Sequence, residues 1–155
     1  MTNLKARKMQ KYDLGVVVNL LADDDLGQFR ENAGEAVNAD YIRAFEEISR
    51  DVNQYAAIFE INGLAIGCLQ ITFIPGLSRR GCLRGQIEGV RVARNYRGKG
   101  YGTEMIAWAV SECRRRGCRM VQLTSDKKRE NAIQFYKRLG FVSSHEGLKL
   151  NLNDM

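Results

Sequence analysis

Residues 88–103 read EGVRVARNYRGKGYGT, and the rest of the chain takes its meaning from them. An extended, β-branched run stops here in an Arg/Gly-rich turn, and a helical pattern begins directly after it. Gly98, Gly100 and Gly102 can take positive φ and let the backbone come close to a ligand, which residues with side chains resist. The helix that follows offers unpaired N–H groups and the positive end of its dipole, a ready site for phosphate. Arg97 and Lys99 add full charges, and arginine can hold phosphate through two N–H groups. Together these features describe an anion cradle. The blander alternative is a surface turn with incidental basic residues.

Two familiar phosphate loops fail against it. A Walker loop needs Ser or Thr directly after its Gly-Lys pair, where this chain has Gly100, and its first glycine is missing too. A dinucleotide fingerprint needs glycine in the place of Thr103, although Asp126 does follow the next strand-like run. An NAD-binding oxidoreductase using Asp126 therefore stays only as a rival reading.

Working outward, 155 residues suffice for one domain with its own core, so residues 1–155 are read as a single domain. Cys68, Cys82, Cys113 and Cys118 form no C-x-x-C pair, and His145 is the only histidine. Neither a zinc site nor a redox pair is spelled out, no metal is expected, and a reducing cytoplasm fits best. The first ten residues are polar and basic, and no apolar run approaches the length of a membrane span. With 24 Lys and Arg against 18 Asp and Glu, the charge of +6 fits nucleic acid, an anionic surface or a polyanionic cofactor. No aromatic residues interleave with a basic stripe, so nucleic acid is not the expected partner.

Residues 3–9 alternate weakly, as an edge strand does. Asp13 is a candidate cap for a helix burying Leu14, Val17, Val18 and Leu21, and Asn38 or Asp40 for a second helix with Tyr41, Phe45 and Ile48 inside. QYAAIFEI, then Asn62-Gly63, then LAIGCLQITFI predicts an antiparallel hairpin, since Asn-Gly favours the turn that matches strand twist. CLRGQIEGVRV adds a third strand, and Gly89 inside it marks a bulge or a close ligand approach. Next come a helix with Met105, Ile106, Ala109, Val110 and Cys113 inward, a strand RMVQLTS, and a helix over 130–139 stopped by Gly140. FVSSHEGLKLNL closes the chain as a bent strand or hairpin. The fold class is α/β, with order β-α-α-β-β-β-α-β-α-β, antiparallel in its first half and parallel after the helical crossover.

Arg97, Gly100 and Gly102 match the Arg/Gln-x-x-Gly-x-Gly/Ala pyrophosphate loop, and the chain resembles the GCN5-related N-acetyltransferase superfamily. Glu88 before the loop, and Asn131 and Tyr136 in NAIQFYKRLGF after it, stand in the family's order. The resemblance is clear over residues 55–152 and looser before them. It implies the acyl-CoA N-acyltransferase fold, a central mixed sheet flanked by helices, and acetyl-CoA as co-substrate. Arg97, Gly98, Lys99, Gly100, Tyr101, Gly102 and Thr103 would hold the pyrophosphate, and Val90, Arg91 and Val92 the pantetheine arm. Asn131 would bond that arm, and Arg138 would meet the 3′-phosphate.

An amine attacks a thioester only as its free base, so a proton acceptor is needed. Glu88, partly buried in the cleft, is the candidate. Tyr136 matches the family's general acid, which returns a proton to the leaving thiolate. No G-x-S-x-G elbow appears, so transfer is read as direct. Asp23, Asp24 and Asp25 would suit a cationic acceptor, and Arg79 and Arg80 an anionic one, while both sets could be solvated loop charges. The expected activity is acetylation of a primary amine on a small molecule, with a homodimer left open. The rival of another class is a non-catalytic module that binds acyl-CoA or nucleic acid.

Overall fold

Asn62 and Gly63 both take left-handed backbone, with φ of 51° and 79°, and so close the hairpin their sequence predicts. Its strands, β2 (Gln54–Ile61) and β3 (Leu64–Ile74), begin and end where the alternation places them. The computed structural model describes residues 3–34 and 37–154. It falls into two compact units, Met1–Gln122 and Leu123–Met155.

The strands β1 (Lys5–Lys8), β2, β3, β4 (Arg84–Val92) and β5 (Met120–Leu123) form one mixed sheet in sequence order. The first three pairings are antiparallel. Helices α1 (Leu14–Ala22) and α2 (Ala39–Arg50) lie between β1 and β2 in sequence, α3 (Ser78–Gly81) between β3 and β4, and α4 (Tyr101–Arg115) between β4 and β5. In the second unit, α5 (Glu130–Arg138) stops at Leu139 and Gly140, whose φ is 92°.

Side chains alternate across the sheet. Ala57, Phe59, Leu69, Ile71, Phe73 and Ile87 are buried on one face, with Met105, Ile106, Ala109 and Cys113 of α4 also buried. Glycines make room for this helix: a Cβ on Gly85 would stand 2.3 Å from Cys113 Sγ, and one on Gly67 2.8 Å from Met105 Sδ. On the other face Ala56, Ile58 and Cys68 pack with Met9, Leu14 and Leu20, and with Tyr41, Ile42 and Phe45 of α2. Burial pushes the thiols of Cys68 and Cys113 up to about 12, so both serve as small apolar residues.

Three expectations need correction. Asp13 does not cap α1 with its side chain. Its buried carboxylate instead takes Arg7 through Nη1 and Nη2 at 2.7 and 2.8 Å, and the amide of Gln10 at 2.7 Å. Asn38, by contrast, caps α2 as expected, accepting from Asp40 N at 2.8 Å. Second, Leu20 rather than Leu21 is fully buried on α1. Third, no closing strand forms: residues 141–151 hold no regular element, and a 3-10 turn follows at Leu152–Asp154. Leu148, Leu150 and Leu152 alternate as a strand would but stand exposed, because a strand needs a hydrogen-bonded neighbour and none pairs with this segment among the described residues.

Candidate functional site

Strand β4 carries the bulge that Gly89 announces. Cys68 pairs with Arg91 and Gln70 with Glu88, so two steps along β3 face three along β4. Gly89 absorbs the extra residue at φ 61°, with Leu21 of α1 only 3.7 Å from where its Cβ would stand. Backbone near Gly89 and Val90 is thereby released from the regular ladder, the opening that an arm laid along Val90, Arg91 and Val92 requires. Glu88 stands exposed at this point, without the partial burial expected of it.

Beyond Val92 a 3-10 turn, Arg94–Tyr96, leads into the cradle. Gly98 and Gly100 take φ of 73° and 89°, and a Cβ at either would meet nothing within 4 Å. Space above the loop is therefore open, and glycine is needed there for backbone conformation. Gly100 is the N-cap of α4 and no side chain caps it, so the first amides, at Tyr101, Gly102 and Thr103, face outward as donors. Gly102 differs from expectation: it lies inside the helix at ordinary negative φ. Lys99 Nζ lies over the Tyr96 ring, 5.6 Å from its centroid.

The arginines of the loop have a task that residue spacing did not reveal. Arg97 donates to Val92 O at 2.8 Å and to Asp23 O at 2.6 Å, with Asp23 Oδ2 at 3.2 Å. Arg94 donates to Asp23 Oδ1 through Nε and Nη2, at 3.2 and 2.7 Å. These bonds, that from Arg94 above all, hold the Asp23 carboxyl below its usual range. Arg91 Nε meets Asp24 Oδ2 at 3.0 Å, and Asp24 also accepts the amides of Leu26 and Gly27. Asp23 and Asp24 therefore tie the end of α1 to the cradle, and are neither a free acidic patch nor the solvated loop charges weighed against it. The readable signal was charge complementarity between two loops more than 70 residues apart, acidic after α1 and basic after β4.

Arg79 and Arg80 take left-handed backbone, φ 54° and 60°, and their carbonyls accept Arg119 Nη2 at 2.9 and 2.7 Å. In the second unit, Asn131 and Arg138 of α5 are exposed and Tyr136 is half-buried. The Tyr136 ring meets Phe135 and Phe141 edge-on, with centroids 5.1 and 5.9 Å away. His145 is exposed and bonded to Ser144, and no group of three or more metal-ligating side chains occurs among the described residues. No helix among those residues is long and apolar enough to cross a membrane.

Comparison with known proteins agrees with this geometry. Residues 18–141 match the acetyltransferase (GNAT) family. A solved structure described as a transcriptional regulator from Bacillus halodurans C-125 is 41% identical, with a TM-score of 0.93 over 96% of this chain and 99% of that one. An acetyltransferase from Trypanosoma brucei is 26% identical, with a TM-score of 0.76 over 96% and 99%. The aminoalkylphosphonate N-acetyltransferase of Salmonella typhimurium is 30% identical over 95 residues, 61% of each chain. The first two curated relatives are matched over only 37% and 61% of their own lengths. On the family match, which takes in the cradle, the bulged strand and α5, the chain belongs to the acetyltransferase (GNAT) family.

Proposed function

We propose that residues 1–155 act as one acetyl-CoA-dependent N-acetyltransferase domain, moving the acetyl group directly to the primary amine of a small molecule. The observation that carries this reading is the cradle itself. Gly98 and Gly100 hold positive φ under open space, beside an α4 N-terminus with no side-chain cap and at the end of a bulged strand.

In this reading the amides from Gly98 to Thr103 and Lys99 bind the pyrophosphate, while Val90, Arg91 and Val92 bond the pantetheine arm as a neighbouring strand would. Arg97 contributes by fixing the loop against Asp23. A released amide of β4 near Val90 stabilises the charge developing on the acetyl oxygen. The amine forms its new N–C bond as the C–S bond breaks. Glu88, beside the bulge, takes the proton the amine loses, directly or through water. Tyr136 returns a proton to the thiolate, and Asn131 and Arg138 serve the arm and the 3′-phosphate. The cytoplasm is the compartment that fits four free thiols.

A panel of amines with acetyl-CoA, read by released thiol, tests the assignment. Turnover with at least one amine is expected, and Tyr136→Phe should lower kcat by about 10²-fold or more with little change in cofactor affinity. Absence of any thermal stabilisation by saturating acetyl-CoA would sink the reading. A second reading, a nucleic-acid-binding regulator, is favoured by the description of the Bacillus halodurans structure. Low-micromolar DNA binding with a steep salt dependence would favour it instead.

A further inference from the structure

The face of the sheet that carries Glu88 also carries a polar patch that the reaction above does not use. In the pairing register Gln54 stands opposite Thr72 and Thr72 opposite Gln86, while Gln70 stands opposite Glu88. Residues directly opposite on paired strands share a face, so Gln54, Gln70, Thr72, Gln86 and Glu88 lie together. Gln122 of β5 joins them, donating to Gln86 Oε1 at 2.6 Å. Four of the chain's seven glutamines thus meet on one surface, too strong a concentration to pass as scattered surface polarity.

The bonding within the patch is half complete. Gln54 Oε1 accepts from Gln70 Nε2 and from Thr72 Oγ1, both at 2.9 Å. Each of the four glutamines therefore spends one end of its carboxamide on a neighbour. The other end has no protein partner among the described residues, and none of these free ends is sealed from solvent. Stability does not call for such a row, because replacing both members of a half-buried polar pair by apolar side chains is nearly neutral or stabilising. What the row supplies is a fixed set of neutral donors and acceptors beside the proposed base.

We infer that this patch is the acceptor subsite, and that it takes a primary amine borne on a scaffold dense in neutral hydrogen-bonding groups, hydroxyls or amides. The inference rests on the acetyl-transfer reading given above. Carboxamides donate and accept without net charge, so they match hydroxyls and amides and offer the hydrocarbon of an alkyl or aryl amine nothing to bond. The dimensions agree. Rows two residues apart lie about 7 Å from one another, and four adjacent strands span roughly 14 Å, room for one or two sugar rings or a short peptide. Glu88 sits at the edge of the patch beside Gln70, where the amine of such a scaffold would reach it.

The test compares glucosamine with cyclohexylamine, and glycylglycinamide with butylamine, each with acetyl-CoA. The polar member of one pair should exceed its apolar partner by about 10-fold or more in kcat/KM, and the pair that shows it tells sugar from peptide. Gln70→Leu and Gln86→Leu should each raise the acceptor KM by about 3- to 10-fold while leaving the acetyl-CoA KM unchanged, as loss of one hydrogen bond predicts. Equal use of apolar amines, or an acceptor KM unmoved by both substitutions, overturns the subsite. A titration followed by the glutamine side-chain amide resonances decides the matter even without turnover. Glucosamine or glycylglycinamide at millimolar concentration should shift Gln54, Gln70, Gln86 and Gln122, and unmoved resonances with both overturn it. If acetyl-CoA neither stabilises the protein nor releases thiol, the enzymatic reading fails separately.

Discussion

The two faces of the sheet differ by a single step in register, yet around β3 and β4 one is wholly apolar and the other carries a row of polar side chains. Ile71, Phe73 and Ile87 on one face are at most 2% exposed, whereas Gln70, Thr72 and Gln86, each next to one of them in sequence, are only half-buried. The α4 face is filled to van der Waals contact, to the point that glycine is required opposite Cys113 and Met105. Toward the far face, α1 is pinned at both ends by ion pairs, Asp13 with Arg7 and Asp23 with Arg94 and Arg97. Both faces bury apolar side chains, but only the second also presents a row of polar groups, beside a helix tied by ion pairs at its ends.

That contrast can be broken at single positions. Ile71→Ala should cost about 2–5 kcal/mol in chemical denaturation, since it opens a cavity in the filled face. Gly85→Ala should cost about 1–3 kcal/mol by overpacking against Cys113, and a neutral result would mean that α4 can retreat from the sheet. Acid should act on those ion pairs next. Asp13 is desolvated by burial, which alone would raise its pKa, but its bonds from Arg7 and the Gln10 amide outweigh that, and the Asp13 and Asp23 carboxyls both lie below the usual range. Groups lowered on folding contribute stability that is present above the unfolded carboxylate value, about 3.9, and lost as pH falls through the folded ones. Thermal stability should therefore drop below about pH 4, and Asp13→Asn should flatten that drop. Gln70→Leu should change stability least, by under about 1 kcal/mol; a large loss would mean that the glutamine row is structural cement.

Much of this was legible from residue patterns. Asn62-Gly63 marked the hairpin, Gly89 the bulge, and Gly98 and Gly100 the loop geometry, because each asks for backbone conformations that other residues resist. Glu88, Asn131 and Tyr136 were singled out through family resemblance combined with order along the chain, whereas the loop and α5 followed from their own residues. What escaped depended on contacts distant in sequence. The tasks of Asp23 and Asp24 are set by arginines on β4 and on the loop after it, and the glutamine row exists only once strands are registered side by side. The missing last strand shows the converse, for Leu148, Leu150 and Leu152 carry the right alternation without a partner to complete it.

The strand order itself bears on how the chain folds. Because β1 to β5 neighbour one another in the order of synthesis, most sheet contacts join segments close in sequence, and low contact order speeds folding. The β2–β3 hairpin closes the shortest loop and is expected to form early. β1 must wait for α1 and α2 to be spanned before Lys5 can meet Glu60. Kinetic φ-values should therefore be high around Asn62-Gly63 and low in β1, and the reverse pattern would place the nucleus at the other edge of the sheet.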